Sequence, residues 1–83
     1  MNRFDLCVLV DDVFEYRKET FAIILDMDEG NYYHIELWDF ERFAGANLNY
    51  IDKKHLRIAT EEEKEIFQQK FKEYCDSNDN TQY

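Results

Sequence analysis

Cys7, His34, His55 and Cys75 are the residues of this chain best suited to metal or nucleophilic chemistry. Zinc sites of the Cys2His2 kind draw their ligands in pairs roughly two to five residues apart, because a short loop then brings both to one ion. None of the four has a companion so close. They read instead as structural thiols and surface imidazoles. A Cys–His nucleophile needs an activated thiolate and a site for the oxyanion, and no stretch of the chain supplies either. The turn Asp26-x-Asp28-x-Gly30-Asn31 opens like a calcium loop. Its sixth position, however, is Asn31 where an EF-hand has glycine, and its twelfth is Leu37 where the bidentate glutamate belongs. Turn chemistry alone accounts for those residues. With two glycines in all, no glycine-rich loop can cradle a phosphate. The expectation is a protein without catalytic residues, metal ligands or cofactor.

Charge is more informative. The chain has 83 residues, with nineteen acids against ten bases and a formal net charge of −9. Eleven acids face four bases in residues 1–42, and eight face six in residues 43–83. Phosphate contacts need clustered Lys and Arg, so direct binding of nucleic acid is disfavoured, as is an anionic membrane surface. A basic protein partner is favoured. Disorder would require low hydrophobicity as well as high charge, yet 45% of the residues are hydrophobic and 17% aromatic. Such a chain makes one small domain with a modest core. No apolar run is long enough to span a bilayer. The N-terminal stretch Met1–Val10 reads as a strand rather than a signal peptide, for want of a small-residue cleavage site. Two cysteines make no disulfide framework, which points to a reducing cytoplasm.

The elements follow from periodicity. Alternation over Phe4–Val10 predicts a strand, followed by a polar connection over Asp11–Glu19. Thr20–Met27 and Tyr32–Trp38 predict two more strands around the acidic turn. In them Phe21, Ile23 and Leu25 oppose Ala22 and Ile24, while Tyr33, Ile35 and Leu37 oppose Tyr32, His34, Glu36 and Trp38. Phe40, Phe43 and Ala44 suggest one helical turn in Asp39–Asn47. Leu48–Ile51 and Leu56–Ile58 read as short strands about Asp52-Lys53-Lys54. Thr60-Glu61-Glu62-Glu63 is a capping box that starts a helix, and Ile66, Phe67, Phe71 and Tyr74 form its apolar stripe. Phe67 and Phe71 are expected to lie largely buried against the sheet. Fraying is expected at Asp76-Ser77-Asn78, which gives a single domain over residues 1–75 and a flexible tail over 76–83.

The resulting fold class is α+β, a curled antiparallel sheet of four or five strands with one C-terminal helix. Both faces of the central strands are apolar and one helix covers only part of one face. Aromatic surface is therefore left for a partner or for a homodimer. Candidate partner-binding residues are the acids Asp26, Asp28, Glu29, Glu36, Asp39 and Glu41. Tyr32 and Trp38 join them as aromatic anchors, because interface hot spots are rich in Tyr and Trp.

Short strands followed by Leu56-Arg57-Ile58-Ala59-Thr60-Glu61-Glu62-Glu63-Lys64 resemble small proteins of phages and their bacterial hosts, with SH3-like curled sheets closed by a helix. That resemblance implies no catalytic residues. It implies a phage setting, in which small acidic proteins act as inhibitors. Some of those are similar to anti-CRISPR or anti-restriction proteins, DNA mimics that present carboxylates where a nuclease expects phosphates. On that reading the partner is a basic host protein that handles nucleic acid. Self-association into a structural or assembly subunit is the alternative.

Overall fold

The computed structural model describes residues 1–28 and 30–80. Five strands, β1 (Leu6–Leu9), β2 (Phe21–Met27), β3 (Tyr32–Trp38), β4 (Ala44–Asp52) and β5 (Leu56–Ile58), precede one helix, α1 (Glu61–Asn80). All neighbours pair antiparallel in the order β4-β3-β2-β1-β5, so β4 and β5 are the two edges. A 3-10 turn at Lys53–His55 joins those edges, capped by the Asp52 carboxylate accepting from the Lys54 N–H. The sheet does not close into a barrel. It does curl, because Ile51 of β4 and Leu56 of β5 share one buried cluster with Cys7, Leu9, Ala22, Ile24, Ile35 and Leu37.

The predicted alternation decides which side chains enter that cluster. Ile24 pairs with Ile35, and Ala22 with Leu37, so the inward positions of adjacent strands stack on one face. Leu9, Ile24, Ile35 and Leu37 are fully buried, and each such burial contributes about 1.5–3 kcal/mol. The other face carries a row across the sheet: Arg57, Val8, Phe21, Trp38 and Ala44 in successive register. Helix α1 lies over this row.

Thr60 begins α1 as the capping box predicts. The Glu63 N–H donates to Thr60 Oγ1 at 3.1 Å, and the Thr60 N–H donates to Glu63 Oε1 at 2.9 Å. The same carboxylate accepts both guanidinium nitrogens of Arg57, at 2.7 and 2.9 Å, clamping the first turn onto β5. These bonds, chiefly those from Arg57 and then from the Thr60 N–H, hold the Glu63 carboxyl down at about 2. Beyond the clamp the docking is aromatic. Trp38 meets Phe67, Phe71 and Tyr74 at ring-centre distances of 6.2, 5.3 and 5.9 Å, all edge-on. Phe21 meets Phe67 at 5.2 Å.

Several expectations need correction. The segment Asp39–Asn47 forms no helical turn. Its first residues make a bend, and β4 begins at Ala44, because Leu37 and Trp38 already hold Ala46 and Ala44 in register. Asp76-Ser77-Asn78 does not end α1, which continues to Asn80; residues 81–83 of the expected tail lie outside the described residues. Phe67 is half-buried and Phe71 is 39% exposed, so the expectation that both are largely buried fails. A lone helix over a sheet rim has no second layer to cover its far side. Ile66, counted in the apolar stripe, is likewise exposed. Among the described residues, no helix is long and apolar enough to cross a membrane.

Candidate partner-binding groove

The eight candidate residues do not converge. They spread along β3, whose ends Tyr32 and Trp38 lie about 20 Å apart at about 3.3 Å per residue. Glu36, Trp38, Asp39 and Glu41 belong to the end under the helix. Asp26, Asp28 and Tyr32 belong to the opposite end, and Glu29 lies outside the described residues.

At the helix end the candidates are already engaged. Trp38 donates its indole N–H to Glu36 Oε1 at 2.7 Å and packs against three side chains of α1. It anchors the helix, which corrects its reading as an outward anchor for a partner. Asp39 and Glu41 border a shallow depression together with Arg17, Lys18 and Lys70. Acids and bases are interleaved there, so their fields largely cancel at a distance.

The other end is built differently. His34 of β3 sits where both neighbouring strands bulge. On β2 the pairing steps from Ile24–Ile35 to Asp26–His34, which leaves Leu25 extra. On β4 it steps from Leu48–Ile35 to Ile51–Tyr33, which places Asn49 and Tyr50 opposite His34 alone. A bulge turns two consecutive residues toward one face and sharpens the local twist. The result is a groove of about 310 Å3 with Asp26, Asp28, Tyr32, His34, Asn49 and Tyr50 in its walls. Met27 and Tyr33 complete it from the core side.

Three features mark this groove. First, its walls hold two carboxylates and three tyrosines and no lysine or arginine. Two bases bond to backbone beside it: the Lys53 N–H donates to Asn31 O, and Arg3 Nε donates to Leu25 O, next to Asp26. Second, His34 Nε2 is buried and makes no hydrogen bond among the described residues, although buried polar atoms are normally paired. Third, Tyr50 has φ = 60° and is 77% exposed. The left-handed region costs a side-chain-bearing residue about 1–2 kcal/mol, and the exposure of Tyr50 leaves little packing to offset it. Asp28 is held for the hairpin rather than free: it accepts the Gly30 N–H at 2.8 Å, while its own N–H donates to Tyr32 O.

The sequence points to Asp26, Asp28 and Tyr32 of this groove but carries no signal for Asn49 or Tyr50, and its spacing makes His34 read as a surface imidazole. A register slip leaves no residue signature when the bulged positions are not glycine. Nor do the other candidate chemistries assemble. No group of three His, Cys, Asp or Glu that could hold a metal forms among the described residues. Burial, with Asp5 adding to it, pushes the Cys7 thiol up to about 11, the opposite of what a nucleophilic thiolate needs. The chain matches no family model, no curated protein and no solved structure.

Proposed function

We propose that this chain is a non-enzymatic protein-binding module that meets a basic partner through the β2–β3 hairpin end of its sheet. The observation that carries the reading is the contrast in charge compensation. Asp26 and Asp28 line a tyrosine-bearing groove without a base in its walls, whereas Asp39 and Glu41 have Arg17, Lys18 and Lys70 beside them. Uncompensated carboxylates project a field that speeds encounter with a positive surface, and exposed tyrosines add contact that salt does not screen. Proteins that handle nucleic acid offer the best-matched partner class, because their basic grooves are built to take anions. Inhibition by mimicry of phosphate charge, of the phage kind, is the specific form proposed, in a reducing cytoplasm where Cys7 and Cys75 stay free thiols.

Self-association is the competing reading, favoured by the exposure of Ile66, Phe71 and Tyr74 on α1. Glu62, Glu65 and Glu73 surround Ile66, with Lys70 the one base beside it. A symmetric helix pair would set these carboxylates against their own copies, so the hetero-partner reading is preferred. The test is capture of partners from bacterial lysate, followed by binding kinetics on the purified partner across a salt series. A basic nucleic-acid-handling partner is expected, with affinity falling as salt rises. Asp26→Lys with Asp28→Lys should slow association severalfold. Affinity indifferent to both salt and the double reversal would remove the basis of the proposal.

A further inference from the structure

We propose that the groove between the two bulges is the seat for one arginine side chain of the partner. This rests on the reading that the hairpin end meets a basic protein, and narrows it to a single recognised group. Volume sets the scale: about 310 Å3 is at the lower limit for small-molecule sites. That suits one side chain better than a nucleotide or a folded element.

The wall chemistry then selects the cation. A guanidinium is planar and weakly hydrated, stacks on aromatic faces, and carries five N–H donors in a fixed fork. Tyr32 and Tyr50 provide exposed ring faces, which attract a cation placed over them within about 6 Å. Acceptors surround them. The carboxylates of Asp26 and Asp28 can take charge-assisted bonds, and Asn49 offers an amide oxygen. A lysine ammonium has three donors on a compact, strongly hydrated charge and cannot stack as a plane. The same acceptors therefore discriminate between the two bases.

The strained tyrosine fits this role. Because Tyr50 is held in the left-handed region, its ring is directed by the bulge rather than by packing on the core. A bound guanidinium supplies the contact that the free protein lacks. Phe4 and Phe14 share the left-handed backbone and the exposure, but neither borders the groove.

The test is an NMR titration of the whole protein with three capped tripeptides, glycine–X–glycine, in which X is arginine, lysine or citrulline. Citrulline keeps the planar shape and loses the charge. The expected result is saturable shifts at Tyr32, His34 and Tyr50 with the arginine peptide, at least tenfold tighter than with citrulline and severalfold tighter than with lysine. Tyr32→Ala and Tyr50→Ala, both at exposed positions, should each weaken arginine binding about fivefold while leaving the rest of the spectrum in place. Equal binding of arginine and lysine would reduce the site to a diffuse negative field and overturn the proposal. Equal binding of citrulline, or no saturable shift at the three residues, would overturn it too. If the peptides fail while the captured partner still binds in a salt-dependent way, the groove assignment is lost and the basic-partner reading stands.

Discussion

Phe40, just past the end of β3, and Tyr50, on β4 beside the start of β3, make the same unfavourable backbone choice, and only Phe40 packs its ring against other aromatic rings among the described residues. Phe40, at φ = 71°, follows β3 and puts its ring 5.4 Å from both Trp38 and Phe67. Helix α1 thus repays the strain with contacts each worth about 0.5–1.5 kcal/mol. Tyr50, beside the start of β3, has φ = 60° and a ring in solvent. The same division runs through the charges: mixed signs near Trp38, acids alone in the groove near Tyr32. One end of the sheet is completed by the chain's own helix. The other carries acids with no lysine or arginine in the groove's walls among the described residues, and the proposed function rests on that difference.

The largest expected effect tests the completed end. Trp38→Ala should cost roughly 3 kcal/mol, since it removes the ring against which three residues of α1 dock. For a small domain that is a large share of total stability, and urea denaturation would show it. A loss under about 0.5 kcal/mol would mean the helix is not held there. Thr60→Ala comes next, at about 1 kcal/mol through loss of the cap, followed by helix circular dichroism during thermal unfolding.

At the open end the sign should reverse. Tyr50→Gly removes a side chain from a left-handed position and should stabilise the fold by about 1 kcal/mol, while partner binding falls. A destabilised variant would show that the ring already has an internal role, and the contrast with Phe40 would collapse.

The smallest effect concerns the Arg57–Glu63 clamp and is read by pH. Glu63 sits at about 2 against an ordinary 4.5, a folded-state value below the unfolded one. Its contribution is therefore complete above about 4.5 and is lost as pH falls toward about 2. Glu63→Gln should be less stable than the parent by the order of 1 kcal/mol near neutrality. The gap should close across that acidic window in a series of denaturation curves. A constant gap would assign the clamp's effect to shape rather than charge.

The strand faces, the capping box and the α+β class were legible in the sequence because each rests on local spacing. Alternation separated Ile35 and Leu37 from Glu36 and Trp38, and the structure buries the first pair. The length of β4 was not legible, since Asn47 and Asn49 break its alternation and its partner β3 decides its extent. The groove was half legible. Its acids and Tyr32 declared themselves by composition, but the bulges that add Tyr50 arise from pairing between strands. Left-handed backbone is normally announced by Gly, Asn or Asp, and here it falls on three phenylalanines, Glu19 and Tyr50 as well as on Gly45. The Arg57–Glu63 pair was missed because it joins a strand to a helix rather than one turn to the next.

The bulges of β4 have a consequence for how the protein behaves in a crowded solution. An edge strand offers its open amides and carbonyls as a template, and a long flat one invites neighbouring chains to stack into fibrils. Strand β4 is nine residues long and has no proline or charged side chain before Asp52 to discourage that growth. Gly45 at φ = 73° and Tyr50 at φ = 60° divide it instead, one within the slip at Leu37–Trp38 and the other within the slip at Tyr33–Ile35. The regular stretch between them is Ala46 to Leu48, too short a template for an incoming strand to hold. The kinks that shape the groove therefore also shorten the template that this edge of the sheet offers to a copy of itself.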